Sequence, residues 1–299
     1  MRKIDIAELL LLAALWGGSF LFMRVAAPVL GPLWLIEIRV VLAGCALLPM
    51  VAHLNLWSEL RQHWRALLVV GSINSAIPFV LLAFASLSLP AGLTSILNST
   101  APLFGTVVAA VWLQETLTLT RWIGFGLGFV GVVILVGWQP IMATPGFGWA
   151  VAAGLVAAFM YAIAAPYIRQ NLAGVSPWTI TAGSLWGAAL TLLPALPFTV
   201  PHQMPTPTVV AAVVALALLS TACAYLLYFR LIQNVGPTKA LTVGYLIPMF
   251  AVLWGAVLLA EPVTWSMAVG GSLILLGTAI ANDLFNPRQK RAQTPSREV

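Results

Sequence analysis

Charge is scarce along this chain. Only 7% of its residues are Asp, Glu, Lys or Arg, and eight of the 299 are acidic. A water-facing domain carries roughly 25% charged residues, so an ordinary solvated surface cannot be built from this composition. Histidine and cysteine are just as thin. His53, His63 and His202 stand near the ends of apolar runs or in a loop, without the spacing of a metal site. No metal and no cofactor are expected. Cys45 and Cys223 lie inside apolar runs and read as small core residues, which leaves the redox compartment open. No Ser–His–Asp arrangement or phosphate loop can be found, so an intramembrane enzyme gets little support. The balance is basic, with a pI of about 9.8 and a formal charge of +6. Lys and Arg sit at the ends of apolar runs and in the tail rather than among aromatics in a soluble segment. They read as solvated membrane flanks, and no nucleic-acid partner is expected.

What fills the chain instead is apolar: 61% hydrophobic residues and a mean hydropathy of +0.99. Runs of about 20 residues, long enough to cross a hydrocarbon core of about 30 Å, recur from end to end. Backbone amides cannot be left unpaired in lipid, so such runs must be helices or a closed barrel, and the lack of strict alternation favours helices. The spacing predicts ten spans, over 6–28, 33–53, 65–87, 90–112, 120–138, 146–169, 177–198, 207–231, 238–259 and 263–283. Punctuation falls between them at Gly31-Pro32, Leu89-Pro90, Gln139-Pro140, Ser176-Pro177, Gly236-Pro237 and Glu261-Pro262. The connections are too short to fold alone.

The chain is half a copy of itself. Pro102 is followed thirteen residues later by Glu115, and Pro248 thirteen residues later by Glu261. At the same offset of 146, Thr118 matches Thr264, Gly124 matches Gly270 and Gly131 matches Gly277. Trp16 and Arg24 align with Tyr161 and Arg169 at an offset of 145. Two related modules are therefore expected, 1–139 and 140–285, followed by a basic tail at 286–299. Because the first span has a counterpart in the second half, it reads as retained rather than as a cleaved signal. With a cytoplasmic N-terminus, twelve of the fourteen basic residues fall on the cytoplasmic side; the opposite loops carry none, and Arg24 and Arg39 lie within spans. That asymmetry puts both termini in the cytoplasm and favours an even number of spans. Five spans per module makes the second module enter the membrane inverted, an architecture common among secondary transporters.

The residues also resemble a known family. Leu15-Trp16-Gly17-Gly18-Ser19-Phe20 with Met23-Arg24, the segment PAGLTSILNSTAPLFGTVVAAVWLQETLT and its second-half echo PTKALTVGYLIPMFAVLWGAVLLAEPVT are similar to EamA-type members of the drug/metabolite transporter superfamily. The resemblance covers essentially the whole chain, with spans six to eight matching loosely. It implies a bacterial inner-membrane protein of ten helices that exports amino acids, metabolites or toxic compounds. The nearest likeness within it is to amino-acid exporters, among them the YddG-type exporters of aromatic amino acids and methyl viologen.

Candidate working residues follow. Pro102 and Pro248, at equivalent points of the fourth and ninth spans, are either hinges and cavity walls or packing bends. Glu115 and Glu261, at span ends before Thr118 and Thr264, suit capping of the next helix better than proton coupling. Glu37 is expected to pair with Arg24 or Arg39 near the outer surface; alternatively it titrates and couples transport to protons. With no other in-span charge, the passage is expected to be nearly charge-free, which counts against phosphorylated substrates. Asn74, Pro78 and Leu82 share one helical face, as do Thr94, Asn98 and Pro102. With Phe79, Tyr161, Tyr225, Tyr245 and Pro248, these are the expected cavity residues, suited to a zwitterion with an apolar side chain or to a lipophilic cation. The bland reading is that the polar ones lock helices together. Gly124, Gly128, Gly131, Gly270 and Gly277 make smooth faces for packing of the fifth and tenth spans, or a dimer contact; monomer and homodimer both stay open. The function expected is export of amino acids or similar small amphipathic metabolites by alternating access without obligatory ion coupling. A proton-coupled multidrug or quaternary-cation pump and a non-transporting receptor or scaffold are the alternatives.

Overall fold

The computed structural model describes residues 1–112, 114, 118–138, 145–201 and 203–282. Every element among them is helical. Eight helical stretches are long and apolar enough to cross a membrane: Lys3–Leu30 (α1), Pro32–His53 (α2), Trp64–Ser88, Ala91–Trp112, Leu119–Gly137 (α8), Phe147–Asn171 (α9), Pro177–Phe198 and Pro207–Val235. A short helix, Trp57–Gln62 (α3), precedes the third stretch. Two shorter apolar helices complete the set, Val243–Leu259 (α14) and Trp265–Ala281 (α15). At 17 residues each they run about 26 Å. The protein is thus an all-helical, multi-pass membrane protein. The expected spans coincide with these helices to within a few residues, except that the ninth begins with a separate turn, Pro237–Ala240 (α13), before α14.

Several stretches are composite. The third joins Trp64–Val70 (α4) to Ile77–Ser88 (α5) through a π-helical turn, Gly71–Ala76. The eighth joins Pro207–Ala217 (α11) to Ala224–Val235 (α12) through a second π turn, Leu218–Cys223. The two wide turns lie 147 residues apart, within one residue of the repeat offset. Their surroundings match as well: the first packs against Pro177–Leu192 (α10) and the second against α2. Only glycine fits at the first, since a Cβ on Gly71 would lie 2.5 Å from the Ser184 carbonyl oxygen and 2.6 Å from the Ala188 nitrogen. The matching pair of turns is compatible with a repeat in spans where the sequence matches only loosely.

The fourth stretch is broken rather than bent. Ala91–Asn98 (α6) ends at Ser99–Thr100, and Ala101–Trp112 (α7) starts with Pro102 in its first turn. Pro102 has no N–H to offer the preceding turn. The loosened carbonyls at the end of α6 are met locally: the Ser99 hydroxyl donates to Ile96 O at 2.6 Å and the Thr100 hydroxyl to Leu97 O at 2.7 Å.

The fifth and tenth spans meet through bare backbone. Gly124 faces Gly277 and Ala281, while Gly131 faces Gly270 and Ile274, so the two helices run antiparallel. Adding the repeat offset turns the Gly124–Gly277 contact into Gly270–Gly131, the same contact read from the other half. A self-mapping contact of this kind is what a local two-fold axis produces. A Cβ on Gly277 would come within 2.5 Å of the Gly124 carbonyl oxygen, whereas one on Gly126 meets nothing within 4 Å. Gly277→Val is therefore expected to destabilise by about 1–3 kcal/mol through overpacking. Gly126→Val is expected to leave the melting temperature of the solubilised protein unchanged.

Candidate substrate site

The break at Ser99–Thr100 is flanked by two cavities that share Ala101 and Pro102. The first holds about 500 Å³ and lies between the fourth stretch, α14 and α15, lined by Ser95, Asn98, Thr242, Tyr245, Pro248, Thr278 and Asn282 among others. The second holds about 440 Å³ between α7 and α9, lined by Gly105, Ala109, Tyr161, Ala162, Ala165, Pro166 and Arg169. Both sizes fall in the range of small-molecule sites. Three polar atoms on residues lining the first cavity are buried without a hydrogen-bond partner: Ser95 Oγ, Asn98 Oδ1 and Thr278 Oγ1. Buried polar atoms are normally satisfied, so these three mark hydrogen-bonding capacity left unused beside the cavity.

Of the expected cavity residues, Asn98, Pro102, Tyr245 and Pro248 line the first cavity, and Pro102 and Tyr161 line the second. Thr94 is fully buried and its hydroxyl donates to Pro90 O at 3.1 Å, a bond within its own helix. Pro78 and Leu82 are buried in α5 among core residues, and Asn74 sits half-buried on the first π turn. Ser95 and Thr278 were not singled out from sequence. Ser95 is one helical turn from Asn98, and that spacing was a readable signal.

Phe79 and Tyr225 belong to a different cluster, centred on Arg39. This side chain, on a residue only 5% exposed, lies in α2 about 10 Å from the start of the helix. Its Cζ stands 3.8 Å from the centre of the Phe79 ring, and its Nε–H donates to Thr221 Oγ1 at 3.0 Å. Thr221 sits on the second π turn, and its own proton goes to Leu216 O at 2.8 Å, so it meets Arg39 purely as an acceptor. Tyr161 and Tyr225 lie within electrostatic range of the guanidinium. Trp16 packs edge-on to Tyr225, ring centres 6.3 Å apart, and Phe229 stacks on the same tyrosine at 6.0 Å. Arg39 is thus a buried charge within a span, and it lines neither of the two cavities. An Arg at membrane depth costs about 2.5–3.5 kcal/mol on insertion scales, which the charge-assisted bond to Thr221 and the Phe79 ring help to offset.

The expected Glu37 pairing does not form. Residues 37 and 39 are two apart, about 200° around the helix, so they face nearly opposite ways. Glu37 is 8% exposed, and its Oε2 is sealed without a partner. Arg24 turns instead to Glu261, Nε to Oε1 at 3.3 Å, and its Nη1 donates to Ser86 O at 2.8 Å and Leu87 O at 2.9 Å. Glu261 does cap a helix, but not its own neighbour: Oε2 accepts from Ala91 N at 2.8 Å, at the start of α6. The helix after Glu261 is capped by Thr264, which accepts from Met267 N at 3.3 Å, as Thr118 caps α8 through Arg121 N at 3.4 Å. Glu115, His202 and the tail at 286–299 lie outside the described residues.

Spans of this number and apolarity around two inner cavities define a polytopic membrane protein of the transporter kind. The chain matches the EamA-like transporter family over residues 6–137 and again over 148–282, and it belongs to that family. A probable terminal-alkyne amino-acid exporter of Streptantibioticus cattleyicolor is 26% identical over 293 residues, 97% of each chain. Protein PecM of Dickeya dadantii is 27% identical over 292 residues, 92% of each. An uncharacterized transporter of Archaeoglobus fulgidus is 24% identical over 274 residues, 91% of this chain and 96% of that one. A crystal structure superposes with a TM-score of 0.67 over 98% of this chain and 100% of that one, at 20% identity, a likeness that speaks for the fold alone.

Proposed function

We propose that this protein exports amino acids or similar small amphipathic metabolites across a bacterial inner membrane by alternating access between two inverted five-helix halves, with both termini cytoplasmic. One observation carries the reading: two crossings equivalent under the repeat are unequal. In α1 and α14, Gly17 is pressed against the other helix, where a Cβ would lie 2.7 Å from Phe250 Cβ and 2.9 Å from Ala251 N. The repeat takes Gly17 to Ala162, Ile247 to Ala101 and Ala251 to Gly105. Those residues line the second cavity, and a Cβ on Gly105 meets nothing within 4 Å. One crossing is closely packed at this point and its twin leaves a cavity there, a difference that fits a carrier accessible from one side. Exchange of the two shapes would move the opening to the other face.

Amino acids are favoured over lipophilic cations because Arg39 places a positive charge beside the Tyr161 wall. The relative named as an amino-acid exporter points the same way. Glu37, sealed on the far face of α2 from Arg39, is no part of either cavity lining, which supports flux driven by the substrate's own gradient. In proteoliposomes, counterflow of an amino acid is expected to proceed equally with and without an imposed proton gradient, and Glu37→Gln is expected to leave it unchanged. Flux that requires the gradient would overturn the uncoupled reading. Absence of flux across an amino-acid panel would leave a receptor or scaffold.

A further inference from the structure

We infer that Arg39 is the receptor for the carboxylate of the transported molecule, an assignment that rests on the transport reading and narrows its substrate class. Arg carries five N–H donors in a flat fork and stays charged in proteins. Here a single donor, Nε, is taken, by Thr221. The two Nη groups find no acceptor among the described residues, yet they are not sealed off as the Glu37 oxygen is. The unused edge of the fork is the edge that grips a carboxylate through two parallel bonds.

The surroundings hold that edge in place. Phe79 supports one face of the guanidinium, and Thr221, its proton committed to Leu216 O, fixes the Nε side. The π turn that carries Thr221 is an irregularity of a kind concentrated at functional sites. Tyr161 stands between this cluster and the second cavity, which it lines. The ring set of Trp16, Tyr225 and Phe229 offers an apolar wall beside the charge. One cation answers one negative charge. A phosphate dianion would need a second, and the other in-span cation, Arg24, is committed to Glu261. The repeat places Leu185 opposite Arg39 in the second half, so the charge is confined to one half of the molecule.

The test is a counterflow competition in proteoliposomes between L-leucine or L-phenylalanine and the C-terminal amide of each, which differs only in lacking the carboxylate. The wild-type protein is expected to favour the free acid at least tenfold. Arg39→Gln is expected to erase that preference while still carrying the amide. Arg39→Lys, which keeps the charge but loses the fork, is expected to retain the preference at lower affinity. Equal competition by acid and amide in the wild type overturns the assignment, as does a preference that survives in Arg39→Gln. Should Arg39→Gln fail to fold, the wild-type competition and the Lys variant still decide. If no compound is carried, the transport reading fails separately. Thermal stabilisation of the solubilised protein by acid over amide, lost in Arg39→Gln and kept at lower affinity in Arg39→Lys, then supports the site, and equal stabilisation by the two overturns it.

Discussion

Replacing Glu261 by alanine is expected to destabilise the protein by about 3 kcal/mol and to loosen the shut crossing of α1 and α14. The carboxylate has two tasks at once. Its Oε1 holds Arg24, and its Oε2 caps α6 through Ala91 N. Arg24 in turn binds the carbonyls that end α5. One residue therefore ties α1 to the ends of α5, α6 and α14, and truncating it leaves the Arg24 charge uncompensated and a helix start uncapped. The estimate is taken at the low end of the buried-pair range because the Arg24 side chain is 31% exposed. Glu261→Gln keeps an oxygen for Ala91 N but loses the charge, so about 1–2 kcal/mol is expected. Melting of the solubilised protein measures the stability. The loosening is read from thiol labelling of Leu21→Cys, with Cys45 and Cys223 replaced by Ser. Leu21, one helical turn beyond Gly17 in α1, is only 7% exposed, and severalfold faster labelling in the Ala variant is expected. Unchanged labelling would show that the ion pair is not what closes this face.

The second large effect comes from filling the open twin. Gly105→Trp puts an indole into the 440 Å³ cavity at a position where a Cβ meets nothing within 4 Å. The fold has room for it, so melting is expected to stay near the wild-type value. The proposed cycle has no such room, because in it α7 and α9 would close on each other as the equivalent crossing opens. Flux is expected to fall more than tenfold. Wild-type flux in a well-folded Gly105→Trp protein would mean that this cavity takes no part in the cycle.

Much of this arrangement could be read from residue order alone. Long apolar runs fixed the spans, and the Pro–Glu and Gly spacings exposed the duplication. Pro102 and Pro248 pointed to the walls of the first cavity. What stayed hidden had distinct physical causes. Arg24 finds its partner 237 residues away, a pairing that local spacing cannot suggest. Glu261 was recognised as a capping residue, but nothing in the chain says that a carboxylate caps a helix of the other half rather than the one that follows it. The π turns leave no mark in composition, so the equivalence of the third and eighth spans emerged only in three dimensions. Glu37, expected to pair with Arg24 or Arg39, pairs with neither, and for Arg39 a separation of two residues on a helix already places the side chains on opposing faces.

Each wide turn inserts an extra residue into a helix that would otherwise keep a steady 3.6 per turn. Were Gly71–Ala76 to wind as a regular helix with all six residues kept, everything downstream would swing by about 100°. Phe79 would leave the guanidinium it now supports, though no contact residue had been altered. In these two segments winding encodes side-chain direction, so a change that conserves polarity and bulk but tightens the turn would still misaim the aromatic faces that follow.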